Sequence, residues 1–296
     1  MRSERLGLMA LLVVTLVWGT TFPAMKLLSA QLDALQIIWW RFAIALLVLA
    51  PLWWGMRRSE LRWGALLGLL LFLAFWLQIE GLARTSSNRN AFVTGLNVLV
   101  VPIIAMLALG RRYGWQLWAA CALACMGMAL MFHEDAPWNL GDSLTLASTV
   151  FYAIYILALE ESTRRTLLRP LRATRMAAVQ ASVMLGASSA LLWARGSELP
   201  LAQVHTLAPH ALAALVYLGV LASVVVVTLQ AWGQQRVDAM RSAIVFGLEP
   251  VFAALTAWAM LGETLGWSGL AGAALIIGGL VLSQLQPPAK VQLTAQ

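Results

Sequence analysis

The stretch from Arg89 to Pro102, RNAFVTGLNVLVVP, returns near the other end of the chain as Arg241 to Ala254, RSAIVFGLEPVFAA. One offset of 152 (241 − 89) pairs Arg89 with Arg241, Ala91 with Ala243, Val93 with Val245, Gly95 with Gly247 and Leu96 with Leu248. Without a gap, the same offset joins Gln78 to Gln230, Gly81 to Gly233, Arg84 to Arg236 and Gly114 to Gly266. About a third of the positions from 66 to 130 match their partners, which is the signature of an internal repeat. The copies differ where the polar residues lie: Asn97 in the first faces Glu249 in the second, and Pro250 follows Glu249 directly while Pro102 comes five residues after Asn97.

Both copies are too apolar for water. Hydrophobic residues make up 61% of the chain and charged ones 11%, against roughly half and a quarter in soluble domains. This is the composition of an all-α integral membrane protein. Spans of about 20 mostly apolar residues are needed to cross a bilayer core of about 30 Å. Ten are predicted, at 7–28, 34–54, 63–82, 90–109, 115–132, 142–159, 176–194, 208–232, 242–261 and 265–285. The first run has no small-residue cleavage pattern and reads as a retained helix rather than a signal peptide.

The net charge of +7 does not point to nucleic acid, because Lys and Arg sit in the short gaps between apolar runs. With the N-terminus inside, 15 of them face the inner side and 5 (Lys26, Arg41, Arg84, Arg89 and Arg195) the outer, which sets the orientation by the positive-inside rule. Both termini are expected in the cytoplasm. Each half then holds five helices, and because five is odd the second half enters the membrane from the opposite side. The expectation is ten transmembrane helices as two inverted-topology five-helix repeats around a central cavity, the arrangement in which substrates bind between repeats near the midplane. The division is residues 1–135, 139–286 and a cytoplasmic tail at 287–296, with the acidic gap from His133 to Asp142 as the seam.

The chain resembles the EamA family of the drug/metabolite transporter superfamily. The resemblance rests on Trp18-Gly19-Thr20-Thr21-Phe22-Pro23, on Arg41-Phe42, and on Gly247-Leu248-Glu249-Pro250-Val251-Phe252-Ala253-Ala254 followed by Gly262-Glu263. It implies export of amino acids, aromatic ones included, or of other small organic solutes or drugs, across the cell inner membrane. It also implies that the fifth and tenth helices stand at the periphery. The first copy lacks the Glu-Pro of the second, so an acidic role carries over to Glu249 alone.

Glu249, inside IVFGLEPVFAALTAW, is the acid most surrounded by apolar residues, and an ionisable group within a bilayer marks a functional site by default. It serves as a proton carrier, as a partner for a substrate ammonium, or as a packing lock. Asn90, Thr94, Asn97 and Val101 share one helix face, opposite a second face with Ser242, Phe246, Glu249 and Ala253. These polar groups either line a cavity or bind helix to helix. Trp18, Tyr152 and Tyr155 are mid-helix, away from the bilayer interfaces where aromatic anchors collect, and join Thr21 as candidate cavity residues. Pro23, Gly95, Gly247 and Pro250 are candidate hinges. Gln78, Gln230 and the Glu80–Arg84 pair read as glue or surface pairs, and Lys26 and Arg41 as snorkelling residues at the outer membrane surface, with receipt of a carboxylate leaving the cell as the alternative.

No metal-ligand spacing, nucleophile motif or nucleotide loop is present, so the expectation is no enzyme, no cofactor and no metal. Cys121 and Cys125 lie one helical turn apart, a poor geometry for a disulfide. The expected partners are a small-molecule substrate and the lipid bilayer, with no nucleic acid. The small-residue run Ala271-Gly272-Ala273-Ala274 with Gly278-Gly279, matching Ala119-Ala120 and Gly127, reads as bundle packing or a homodimer face through peripheral helices. A non-transporting scaffold or sensor is the competing class, and a packed midplane without a cavity would favour it.

Overall fold

The computed structural model describes residues 2–131, 137–201, 205, 207–261 and 266–284, and all regular structure among them is helical. His133, the Gly262-Glu263 pair, Lys290 and the tail at 287–296 lie outside the described residues. The first half comprises α1 (Arg2–Leu28), α2 (Ala34–Leu49), α3 (Arg58–Leu82), α4 (Ser87–Gly95), α5 (Asn97–Leu109) and α6 (Trp115–Met131). The second comprises α7 (Leu140–Arg165), α8 (Ala173–Ala194), α9 (Pro209–Gly219), α10 (Val226–Gln234), α11 (Ala239–Phe246), α12 (Glu249–Leu261) and α13 (Trp267–Gln284). Eight helical stretches among the described residues are long and apolar enough to cross a membrane, and two shorter apolar helices, α6 and α13, accompany them.

Starts and stops follow local chemistry. Asp33 caps α2 by accepting the Gln36 N–H, while the Gln36 side chain takes the Asp33 N–H, a reciprocal capping box. Asn139 and Asp142 do the same for α7. Gly110 ends α5 with φ +62, a backbone that only glycine adopts cheaply. The repeat is visible in the caps. Ser86 receives the Arg89 N–H at 3.1 Å to start α4, and its partner Asp238 receives the Arg241 N–H at 3.0 Å to start α11.

Three of the sequence-predicted spans are interrupted rather than straight. The fourth breaks at Leu96 into α4 and α5, and the ninth breaks at the repeat-equivalent Gly247-Leu248 into α11 and α12. Pro250 falls in the first turn of α12, where a missing N–H costs nothing because no helical acceptor awaits it. The eighth contains a π-helical segment, Val220–Val225, between α9 and α10. The helix assignment of α1, by contrast, continues through Pro23. The sixth span also runs past its expected end at 159 to Arg165, because Glu161 bonds Arg164 and Arg165 one turn on and Glu160 pairs with Arg111 at 2.7 Å.

Packing crosses between halves. α3 lies against α7 and α8, while α1 lies against α10, α11 and α12. Glycine pairs mark both crossings, Gly81 matching Gly233 at the offset of 152 and Gly7 matching Gly141 at a smaller offset of 134 (141 − 7). A Cβ on Gly81 would sit 2.7 Å from the Gly141 carbonyl oxygen and one on Gly141 2.8 Å from that of Gly81; Gly233 and Gly7 meet in the same manner at 3.1–3.2 Å. Equivalent arginines clasp the same helices. Arg89 at the start of α4 pairs with Asp142 at the start of α7 at 2.5 Å, and Arg241 at the start of α11 pairs with Glu4 at the start of α1. A third lock fixes α3. Glu60, fully buried, accepts from the Arg57 side chain at 2.8 Å, the Arg175 side chain at 3.3 Å and the Arg57 and Arg172 backbone N–H groups.

α6 and α13 pack on each other along their length. Backbones touch there: a Cβ on Gly127 would be driven into the Gly272 carbonyl oxygen, and one on Gly279 would lie 2.7 Å from that of Ala120. Gly127, Gly272 and Gly279 are thus engaged within one chain, while Ala271, Ala274 and Gly278 stay exposed. Gly272→Leu is expected to separate these helices and cost the 1–3 kcal/mol typical of overpacking. A detergent-solubilised variant melting at the wild-type temperature would show that the backbones are not in contact.

Candidate functional site

Six helices from both halves enclose one cavity. α1 contributes Trp18, Thr21, Phe22 and Met25; α2 contributes Arg41; α3 contributes Ala74, Phe75 and Gln78. Thr94 comes from α4, Ser148 and Tyr152 from α7, and Glu249 from the first residue of α12. Neither α6 nor α13 reaches it. The volume is about 40 Å³, room for about three water molecules at the 10–15 Å³ each requires.

Glu249 sits where the interrupted ninth span restarts. It makes no hydrogen bond or ion pair among the described residues, and it keeps part of its surface accessible on the cavity wall. As the first residue of α12 it also lies at the positive end of that helix dipole, which favours an anion there. Nearby is a cluster of rings. Trp18 meets Tyr152 edge-on at 5.6 Å and Phe246 at 5.1 Å, and Tyr152 stacks on Tyr155 at 5.6 Å with an interplanar angle of 15°. The Tyr152 hydroxyl accepts from Gln230 Nε2 at 2.7 Å and the Tyr155 hydroxyl donates to Gln180 Oε1 at 3.1 Å, so both rings are pinned from behind.

Of the sequence candidates, Trp18, Thr21, Thr94, Tyr152 and Glu249 line the cavity; Asn90, Asn97, Tyr155 and Phe246 do not. Asn90 is fully buried and donates to Thr145 Oγ1 at 2.7 Å and to the Gln78 carbonyl at 3.2 Å, joining α3, α4 and α7. Asn97 turns back along its own chain and donates to the Thr94 carbonyl at 3.0 Å. That carbonyl is one of those freed where α4 stops, so the side chain repairs the break. Phe246 and Tyr155 form the layer behind Trp18 and Tyr152. Gln78 reaches the cavity and donates to Thr94 Oγ1 at 3.1 Å. Gly95 and Gly247 stand at the two breaks with negative φ, and what calls for glycine at 95 is the Met128 thioether pressed against it.

Arg41 departs from the sequence reading. Far from snorkelling, it lies seven residues past the start of α2, about 10 Å along the axis, and is only 2% exposed. Its Nε donates to Ser223 Oγ at 3.3 Å, its Nη1 approaches Met25 Sδ at 3.6 Å, and its charge faces the Phe75 ring at 5.0 Å and the Phe42 ring at 5.8 Å. Ring contacts of this kind offset only about 0.5–2 kcal/mol. The signal was in the sequence, since two turns of apolar residues separate Arg41 from the Asp33 cap. Lys26 also has a defined role: Nζ donates to the Leu82 and Thr85 carbonyls at 3.0 and 3.3 Å, closing the C-terminal end of α3.

Two apolar repeats, each with an interrupted helix, enclosing a cavity with a buried acid agree with what known proteins show. The EamA-like transporter family matches residues 5–133 and 139–285. The chain belongs to that family. It is 27% identical over 280 residues to an uncharacterized transporter of Archaeoglobus fulgidus, covering 94% of this chain and 85% of that one. To the uncharacterized transporter YcxC of Bacillus subtilis it is 23% identical, over 93% and 92% of the two chains. A crystal structure of a protein at 18% identity superposes over 96% of both chains with a TM-score of 0.69, which supports the fold. EamA membership makes this a multi-pass membrane transporter rather than an enzyme.

Within this EamA protein the Asn97 bond is the simplest structural element to test. Asn97→Leu removes it and is expected to destabilise the fold by about 1 kcal/mol without changing the cavity wall. Loss of ligand binding at unchanged melting temperature would instead place Asn97 in the site.

Proposed function

We propose that this protein is a secondary transporter that exports small metabolites, amino acids foremost and aromatic ones among them, across the inner membrane by alternating access. The observation that carries this reading is Glu249: a carboxylate without a partner among the described residues, at a helix break, facing a cavity shared by both halves. A purely structural acid within a bilayer would be expected to have its oxygens bonded. The aromatic wall formed by Trp18, Phe75 and Tyr152 suits an apolar side chain.

In this reading α6 and α13 also cross the membrane, since about 17 residues suffice, and ten spans form two inverted five-helix repeats within residues 1–135 and 139–286. Both termini are cytoplasmic, as the placement of Lys and Arg favours. The Arg89–Asp142 and Arg241–Glu4 clasps then stand on opposite sides of the bilayer. Rocking of one repeat against the other opens one clasp at a time, with the breaks at Gly95-Leu96 and Gly247-Pro250 absorbing the change. Pro23 acts as a further hinge in α1. Trp18, Thr21, Thr94, Tyr152 and Glu249 contact substrate, while Asn90, Asn97, Tyr155 and Phe246 hold those residues in place. The cavity and the family leave the scaffold reading without support. A homodimer, where one forms, uses outer faces of the peripheral helices, where Gly278 stands exposed while Gly127, Gly272 and Gly279 are engaged between α6 and α13.

Glu249→Gln separates the chemical roles open to the carboxyl. In proteoliposomes, loss of pH-driven amino-acid flux with exchange intact identifies a proton carrier. Weakened binding by about 1.5–3 kcal/mol, the worth of a charge-assisted hydrogen bond, identifies an ammonium partner. Wild-type flux, pH dependence and affinity in this variant would return Glu249 to a packing role.

A further inference from the structure

Arg41 is the ionisable group on the cavity wall that neither the fold nor Glu249 explains. Its guanidinium carries five N–H donors in a rigid fork. The described residues offer it one oxygen, Ser223 Oγ, and one thioether, Met25 Sδ. No carboxylate pairs with it among the described residues, and Nη2 meets no acceptor there. Yet it shares a cavity with Glu249, an acid equally without a hydrogen-bond or ion-pair partner among the described residues.

That one oxygen comes from a deformed stretch of backbone. Ser223 lies in the π-helical segment Val220–Val225, where its Oγ donates to the Leu218 carbonyl five residues back at 2.8 Å and accepts from Arg41 Nε at 3.3 Å. π turns inside α-helices are uncommon and collect at functional sites. Ser223 holds one donor of the fork and leaves Nη2 unengaged. Phe75, also on the wall, faces the guanidinium charge.

Opposite charges in a low-dielectric pocket attract strongly, and an Arg–carboxylate pair readily forms two parallel hydrogen bonds. Here α2 and α12 hold Arg41 and Glu249 without an ion pair between them. We propose that Arg41 is the carboxylate subsite of this cavity: a transported zwitterion places its carboxylate on the Arg41 guanidinium and its ammonium on the Glu249 carboxylate. The assignment rests on the reading of the chain as an amino-acid transporter and narrows it to substrates that carry both charges.

Selectivity follows from the group left bare. An amine satisfies Glu249 and leaves Arg41 buried without an anion; a monocarboxylate does the reverse. Sites built around buried polar groups reject analogues that leave them unpaired.

Calorimetric titration of the purified full chain in nanodiscs with L-phenylalanine, phenethylamine and 3-phenylpropionate tests this. In the wild type L-phenylalanine is expected to bind at least tenfold more tightly than either singly charged analogue. Arg41→Met should weaken L-phenylalanine about ten- to a hundredfold, the range of a charge-assisted bond, and leave phenethylamine unchanged; Arg41→Lys should recover part of the loss. Equal affinity for phenethylamine and L-phenylalanine in the wild type overturns the assignment, as does undiminished L-phenylalanine binding in Arg41→Met. The wild-type ranking decides the matter even where the variants do not fold. Flux of phenethylamine without flux of L-phenylalanine in proteoliposomes leaves a transporter and removes the carboxylate subsite. Binding of none of the three removes the subsite and the amino-acid reading together.

Discussion

A helix interrupted within a bilayer leaves backbone N–H and C=O groups with no water to bond, and every other feature of the cavity depends on how that is met. In the first copy the break at Leu96 is met by side chains. Asn97 covers the Thr94 carbonyl, and Thr149 from α7 donates to the Val93 carbonyl at 3.0 Å. Beyond the break, the Cys121 thiol of α6 approaches the Val98 carbonyl at 3.1 Å. In the second copy Pro250 leaves no N–H to orphan at the start of α12, and by the same lack it withholds the helical donor from the Phe246 carbonyl, the partner of the Thr94 carbonyl. The same interruption is thus reached by two chemistries, and the residues that follow it face different ways. Asn97 is occupied by repair. Glu249 makes no such bond among the described residues and lies on the cavity wall.

The repeat made much of the fold legible. Helix content, the approximate spans and the location of both breaks follow from apolar run length, from Gly95 and Gly247 at matching positions, and from Glu249-Pro250. What periodicity could not convey is which way a polar residue turns once the helix stops. Asn90, Thr94 and Asn97 share a face of an ideal helix, but the break at Leu96 ends that phase, so Thr94 reaches the cavity while Asn97 bonds backward. The π-helical segment at Val220–Val225 was equally silent, since VLASVV reads as ordinary apolar helix.

Arg41 was misread for a different reason. A basic residue in the first half of a predicted span looks like one that can extend to the membrane surface, and side-chain length alone permits that. What forbids it is tertiary: Met25 and Ser223 hold the guanidinium from two neighbouring helices, and Phe75 packs against it from a third. The position of the Asp33 cap carried the correcting information, because it fixes where α2 begins and so how deep Arg41 lies.

The two copies have drifted apart in the residues that meet the cavity and have kept those that meet each other. Gly7, Gly81, Gly141 and Gly233 still allow backbone-to-backbone crossings, and Arg89 and Arg241 still clasp the first helix of the opposite half. These contacts need only a small residue or a long cation at a fixed point, and a duplicated chain retains them in both copies because loss of either would open a helix crossing. The cavity has no such demand for symmetry. Gln78 faces it while its partner Gln230 is buried against Tyr152 and Gln234; Glu249 faces it while Asn97 does not. A bound molecule with unlike ends requires unlike walls, so a cavity with a cation on α2 and an anion on α12 is what divergence within a preserved scaffold can supply and an unmodified duplicate cannot.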